Sequence, residues 1–208
     1  MTERFIDRTL RAFSEDLASD AAVPGGGSAA AYAGALGASL AAMVGRIAER
    51  KAKGEPATTF IAEGENLRAD FLRLVDDDSA AYARVAEAMK LPKSTDEEKR
   101  ARKERLQSAL LAASRVPLEV AKTGRRLLDA CERGVAAASP ATVSDIGVAA
   151  IMGEAAIRGA ALNVIINLAS VHDAAQVKAL SDDLDRAVDG AEDQRKRITE
   201  FVESRIAR

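Results

Sequence analysis

Apolar residues recur along this chain at steps of three and four, the period of a helix with one buried face. The clearest run is Phe60, Gly64, Leu67, Phe71, Leu74, position 78, Tyr82, Val85 and Met89, which predicts a helix from about Ala57 to Lys90. Before it, Phe5, Ile6, Leu10, Phe13 and Leu17 predict a helix over about Glu3 to Leu17. An Ala- and Gly-rich segment predicts a second helix that starts near Ser28, a good N-cap residue, and ends in ERKAKGEP, where Gly54 and Pro56 are stop signals. Thr95 to Glu98 has the form of a capping box and opens a fourth helix towards Cys131, with Pro117 expected to kink or divide it. Ser144 and Asp145 open a fifth, apolar nearly all round and so expected at the centre, with Glu154 and Arg158 spaced to pair. A sixth follows Asp173 to near the C-terminus, with Val177, Leu180, Leu184, Ala191, Ile198 and Val202 on its apolar face. These elements predict an all-α, single-domain, up-and-down bundle of about six main helices.

Composition supports helices. Of 208 residues 48% are hydrophobic, much of that Ala, and only 3% are aromatic. The formal net charge of −2, with both signs interspersed, argues against a nucleic-acid partner, which requires a basic field. The single cysteine, Cys131, excludes an intramolecular disulfide and fits a reducing cytoplasm. The charged start MTERFIDRTL shows no secretory signal. Ala21 to Gly45 carries no charge, but Pro24 and three glycines break its start and Ser28 to Gly45 holds only two Leu, so no membrane span is expected.

Polar residues on apolar faces carry the candidate chemistry, because a buried polar group costs free energy unless it is satisfied. Asp78 stands on the stripe of the third helix, four residues from both Leu74 and Tyr82. Asp76 and Asp77 point about 200° and 100° away from it. A carboxylate there is either a desolvated acid–base group or a partner for an Arg or Asn of a neighbouring helix. Asn163, Asn167 and Ser170 share one face of the fifth helix. They suit a heterocycle with mixed donor and acceptor edges, or an interhelical hydrogen-bond network. Gly25, Gly26, Gly27 and Ser28 form a turn at a helix start, where free N–H groups favour an anion or a polarised carbonyl; the turn lacks the ending of a nucleotide P-loop. Ala30, Gly34, Gly37, Ala41 and Gly45 form a small-residue seam for a close helix pair, within the chain or across a dimer. His172 beside Asp173 reads as a cap at a helix junction. No His/Cys/Glu cluster has metal-ligand spacing, so no metal is expected.

The motifs PGGGSAAAYAGALGASLAAMV, LVDDDSAAY, LPKSTDEEK, VPLEVA, SDIGVAA and NVIINL, in this order over nearly the whole chain, resemble the cyclodeaminase/cyclohydrolase family of folate one-carbon enzymes. The resemblance implies an all-helical homodimer with its site near the interface, and a tetrahydrofolate substrate bridged by one carbon between N5 and N10. It implies no metal and no tightly bound cofactor. By the same resemblance Asp78 matches the acidic residue of the third helix, and Lys51 a basic position ending the second, with catalytic or tail-holding work. Gly25, Gly26, Gly27, Ser28, Asn163, Asn167, Asp145 and Lys93 fall to the substrate. The chain departs from the family at Arg46 to Arg50, where Asn-Leu-Thr is frequent, and at AAASPATV, where a Gly-Asn pair usually precedes Ser-Asp. The implied activity is hydrolysis of 5,10-methenyltetrahydrofolate to 10-formyltetrahydrofolate. Its rival is ammonia release from 5-formiminotetrahydrofolate, and the alternative of another class is a non-catalytic helical oligomerisation module.

Overall fold

The computed structural model describes residues 4–51 and 58–207, so Ala57 and the stop signals Gly54 and Pro56 lie outside the described residues. Seven α-helices form among the described residues: α1 (Leu10–Leu17), α2 (Gly26–Lys51), α3 (Thr58–Lys90), α4 (Asp96–Gly134), α5 (Val143–Leu168), α6 (Ala174–Val188) and α7 (Ala191–Ile206). The long helices α2, α3, α4 and α5 pack each on the next, and α5 closes back on α2. Gly26 lies by Asn163 and Gly37 by Ala149, so α2 and α5 run antiparallel. This is the expected up-and-down bundle, with α6 and α7 laid against α4 and α5.

Small residues explain how closely the helices pack. A Cβ on Gly34 would run into the Phe71 ring, one on Gly64 would lie 2.9 Å from the Ala42 nitrogen, and one on Gly37 2.9 Å from the Ala149 carbonyl. The seam is therefore internal, with α2 wedged between α3 and α5. Phe71, Leu67, Leu127, Leu128, Ile146 and Ile157 are fully buried around it. The helices Gly26–Arg50 and Val143–Leu168 are long and apolar enough to cross a membrane. Here both contribute small and branched residues to the bundle core.

Several boundaries differ from the sequence reading. The first predicted helix is split: a 3-10 turn spans Phe5–Asp7, and Thr9 then caps α1, its hydroxyl accepting from the Ala12 amide at 3.1 Å. Ser28 is not the N-cap of α2, which begins two residues earlier at Gly26. Pro117 does not divide α4, which runs unbroken from its capping box, where the Glu98 amide donates to Thr95 Oγ1 and the Thr95 amide to Glu98 Oε2. The predicted sixth helix is two, because Gly190 adopts a left-handed φ of 68° between α6 and α7. Glu154 pairs with Arg158 at 2.8 Å as its spacing implied, and also ties α5 to α7 through Arg195 at 2.9 Å.

The fifth helix is central on one side only. Val148, Ile151, Leu162, Ile165 and Ile166 remain exposed along its outer face. The period of an amphipathic helix cannot show this, since both faces are apolar.

Candidate active site

Three successive aspartates on α3 have three fates. The Asp76 carboxylate accepts from the Phe5 amide at 2.8 Å and holds the N-terminal segment. Asp77 pairs with Arg73 one turn back on the surface. Asp78, the one of the three on the apolar stripe, points to the start of α2. Its Oδ2 lies 3.0 Å from Ser28 Oγ. A Cβ on Gly27 would come within 2.5 Å of the Asp78 Cγ, and one on Gly26 within 3.5 Å of the Asn163 Nδ2. The glycines thus serve close approach: the α2 backbone sits between a carboxylate on α3 and a carboxamide on α5. The anion that the glycine turn was expected to attract is, in this chain, its own Asp78. Burial pushes the Asp78 carboxyl above its ordinary value, and hydrogen bonds from the Ser28 hydroxyl and backbone N–H pull it part of the way back.

Asp78 opens into a cavity of about 330 Å³ at one end of the bundle. Gly25, Gly26 and Gly27 form one rim; Tyr82, Val85, Met89, Leu110 and Ile166 form an apolar wall; Asn163, Asn167 and Ser170 stand opposite. Tyr82 and Met89 are exposed although they continue a buried stripe, because both line the cavity, while Val85 between them is buried in a cluster with Leu110 and Ala113 of α4. Among the described lining residues Asp78 is the one charged group.

The two asparagines do different work. Asn167 Nδ2 donates to the Ala113 carbonyl of α4 at 2.9 Å, which is the interhelical bond considered as its plain role. Asn163 Nδ2 donates back to Gly159 on its own helix at 2.8 Å. Each carboxamide nitrogen donates to a backbone carbonyl, and a carboxamide oxygen can accept from a ligand donor. Tyr82, a stripe position in the sequence, lines the cavity, and the buried Ser79 stands against Ser28 without having been marked by the stripe. Their signal was present in the string DDDSAAY, one residue and one turn after Asp78.

Three predicted residues are not brought to this cavity by their own chain. Asp145 and Asn163 sit at opposite ends of α5, about 27 Å apart along its axis at a helical rise of about 1.5 Å per residue. Lys51 closes α2 about 36 Å along the axis from Gly27, and its side chain is outside the described residues. Lys93 is exposed in the link between α3 and α4, past the end of α3. His172 is exposed, and the neighbouring Asp173 caps α6 by accepting from the Ala175 and Gln176 amides. Among the described residues no group of three or more His, Cys, Asp or Glu side chains gathers to hold a metal ion.

Fold and cavity together define an all-helical bundle carrying one desolvated carboxyl group in an end pocket of a size for a small organic ligand. The chain matches the formiminotransferase-cyclodeaminase family over residues 9–186 and belongs to it. It is 35% identical over 204 residues to the methenyltetrahydrofolate cyclohydrolase of Methylorubrum extorquens, covering 96% of this chain and 98% of that one. It is 37% identical over 175 residues to the mouse formimidoyltransferase-cyclodeaminase, of which it spans only 32%. The crystal structure of the formiminotetrahydrofolate cyclodeaminase from Thermotoga maritima superposes with a TM-score of 0.83 at 26% identity, covering 95% of this chain and 97% of that one.

Proposed function

We propose that this folate one-carbon enzyme is a methenyltetrahydrofolate cyclohydrolase. The observation that carries the reading is the cavity itself, where the one charged group among the described lining residues is a carboxyl group with a raised pKa, sharing that lining with two carboxamides and an apolar wall. The methenyl bridge is a flat cationic amidinium, already electrophilic, so the chain needs to supply a base, an acid and a mould, with the folate as substrate and neither metal nor tightly bound cofactor. Asp78 takes a proton as water adds to the bridge carbon, turning the cation into a neutral adduct. It then returns that proton to N5 as the N5–carbon bond breaks, while the second water proton leaves as the formyl carbonyl forms. Such proton work contributes typically ~10²–10⁴-fold. The oxygens of Asn163 and Asn167 receive N–H donors of the pterin, and Tyr82 lies along its face. The near-full-length match to the Methylorubrum cyclohydrolase supports this assignment. We place the enzyme in the cytoplasm, in keeping with its single cysteine, which is buried with its thiol pushed up to about 12.

The match to the Thermotoga cyclodeaminase supports a second reading, in which Asp78 protonates departing ammonia from 5-formiminotetrahydrofolate and the product is the methenyl compound. The two are separated by one experiment. Purified protein is given methenyltetrahydrofolate and, in parallel, 5-formiminotetrahydrofolate. The cyclohydrolase assignment requires accelerated loss of the methenyl absorbance; ammonia release alone assigns the chain to the cyclodeaminase, and neither activity, with no thermal shift on adding a reduced folate, returns it to the oligomerisation module.

The assembly belongs to the same proposal. Val148 and Ile151 near its start and Leu162, Ile165 and Ile166 near its end form an outward, mainly apolar stripe about 27 Å long on α5, interrupted midway by the exposed Arg158, and Ile166 is also a wall of the cavity. A second copy packed antiparallel on that stripe buries it and brings the far end of the bundle, with Lys51 and Asp145, beside the first copy's Asp78. These two residues then serve the site across the interface, as does Lys93 at its rim for the glutamate tail. Ile165→Asp should convert a dimer to a monomer in sedimentation or light scattering and lower activity with it. A monomeric parent protein, or a dimeric Ile165→Asp variant of full activity, would remove this interface from the site.

A further inference from the structure

Resting on the reading of Asp78 as the proton carrier, we infer that Ser28 is a positioning residue whose hydroxyl turns between the Val75 carbonyl and the Asp78 carboxyl group as Asp78 gives up and regains its proton. The Ser28 side chain is fully buried, and its Oγ is surrounded by three oxygens: Val75 O at 3.0 Å, Asp78 Oδ2 at 3.0 Å and Ser79 Oγ at 3.1 Å. A hydroxyl has one proton to donate and two lone pairs. It cannot donate to Val75 and to Asp78 at once.

The arrangement is satisfied in two ways, each tied to one state of Asp78. When Asp78 is ionised, Ser28 donates to it, and the Val75 carbonyl keeps its place in the backbone ladder of α3. When Asp78 is protonated, its own O–H donates to Ser28 Oγ, and Ser28 turns its proton to Val75. The hydroxyl of Ser79, itself buried, lies 3.1 Å from Ser28 Oγ and can donate to it in both states. No heavy atom has to move. Hydroxyl rotations alone, of Ser28 and of the protonated carboxyl group as its O–H turns from Ser28 to N5, therefore let the same carboxyl group act first as base and then as acid with both resting states hydrogen-bonded, the kind of preorganisation that lowers the cost of moving charge in a water-poor site. The proton that leaves water stays on Asp78 until N5 takes it; Ser28 keeps its own throughout. Ser28 thus works behind the carboxyl group, whereas the resemblance assigned it to the substrate.

The test is a pH titration of the free protein by NMR of ¹³C-carboxyl aspartate, with the Asp78 signal assigned by its loss in Asp78→Asn, alongside kcat and KM against pH for methenyl hydrolysis. Ser28→Ala removes a donor to the ionised form. The Asp78 midpoint should move up and the acid limb of kcat should move up with it, with kcat lower by about tenfold on that limb, the order of one hydrogen bond to a charged group. Ser28→Cys keeps the shape with a weaker donor and should shift both in the same direction by less; it keeps the test open if the alanine variant does not fold. An unmoved Asp78 midpoint, or a raised KM with an unchanged pH profile, overturns the inference in favour of direct substrate contact. Absence of any folate turnover in the parent protein would remove the functional reading, while the NMR midpoint still decides whether Ser28 governs the protonation of Asp78.

Discussion

Asp78→Asn should lower kcat for methenyl hydrolysis by ~10²–10⁴-fold and should not lower the thermal stability at neutral pH. The first effect follows because a carboxamide can fill the space beside Gly27 and accept from Ser28 but cannot take a proton from water. The second follows from linkage. A carboxyl group whose folded pKa is raised, here by desolvation, binds its proton more tightly in the folded chain than in the unfolded one. Its favourable contribution is fully present below the ordinary carboxylate range and is lost as pH rises through the raised folded value. Above that value the parent protein has lost it, and the Asn variant has no such loss. Its Tm should therefore equal or exceed that of the parent near neutrality, and the difference should shrink as pH is lowered past the ordinary carboxylate range. A variant that keeps full turnover takes Asp78 out of the mechanism. One that is clearly less stable at neutral pH makes Asp78 chiefly a tether between α3 and the start of α2.

Gly27→Ala should damage activity far more than stability. Helix propensity favours Ala over Gly by up to about 1 kcal/mol. Against that, the new Cβ would come within 2.5 Å of the Asp78 Cγ. The obstructing atoms are the end of a short side chain and not backbone, so the carboxyl group swings aside and the fold survives. A carboxyl group displaced by about 1 Å is out of register with its substrate, a fault that can cost about 10²-fold. Near-unchanged denaturant midpoints with kcat down by about that factor are the expected pair of results. Gly25→Ala, whose Cβ would meet nothing within 4 Å, should be much milder. If the two alanine variants behave alike, close approach at Gly27 is not what the glycine turn provides.

The three aspartates show how far the sequence reading reached. Steps of about 100° per residue put only Asp78 on the apolar stripe, and the helix of α3 keeps that geometry wherever it packs. Its partner was not readable. The expected Arg or Asn is in fact Ser28 and the backbone at the start of α2, which lies 50 positions away in the chain. Asn163 and Asn167 were rightly placed on one face, yet one bonds its own helix and the other bonds α4, a division set by which carbonyl the packing presents. The break at Gly190 had a local signal in the Asp-Gly pair. The apolar period of the predicted sixth helix runs through it, and period outweighed turn chemistry in the reading.

By itself the sequence determined the quantities that depend on a few neighbouring residues: helical period, the capping box at Thr95, the small-residue face of α2, and the position of Asp78 on the inward stripe of α3. Those follow from backbone geometry and local hydrogen bonding, which act over one or two turns. Only the tertiary structure decided which side of α5 stays uncovered, why Tyr82 and Met89 end a buried stripe in the open, and that Lys51 and Asp145 stand at the far end of the bundle from Asp78. The protonation of Asp78 belongs to the same group. It depends on how much water four packed helices leave around a single carboxyl group, and that quantity exists only once the helices have met.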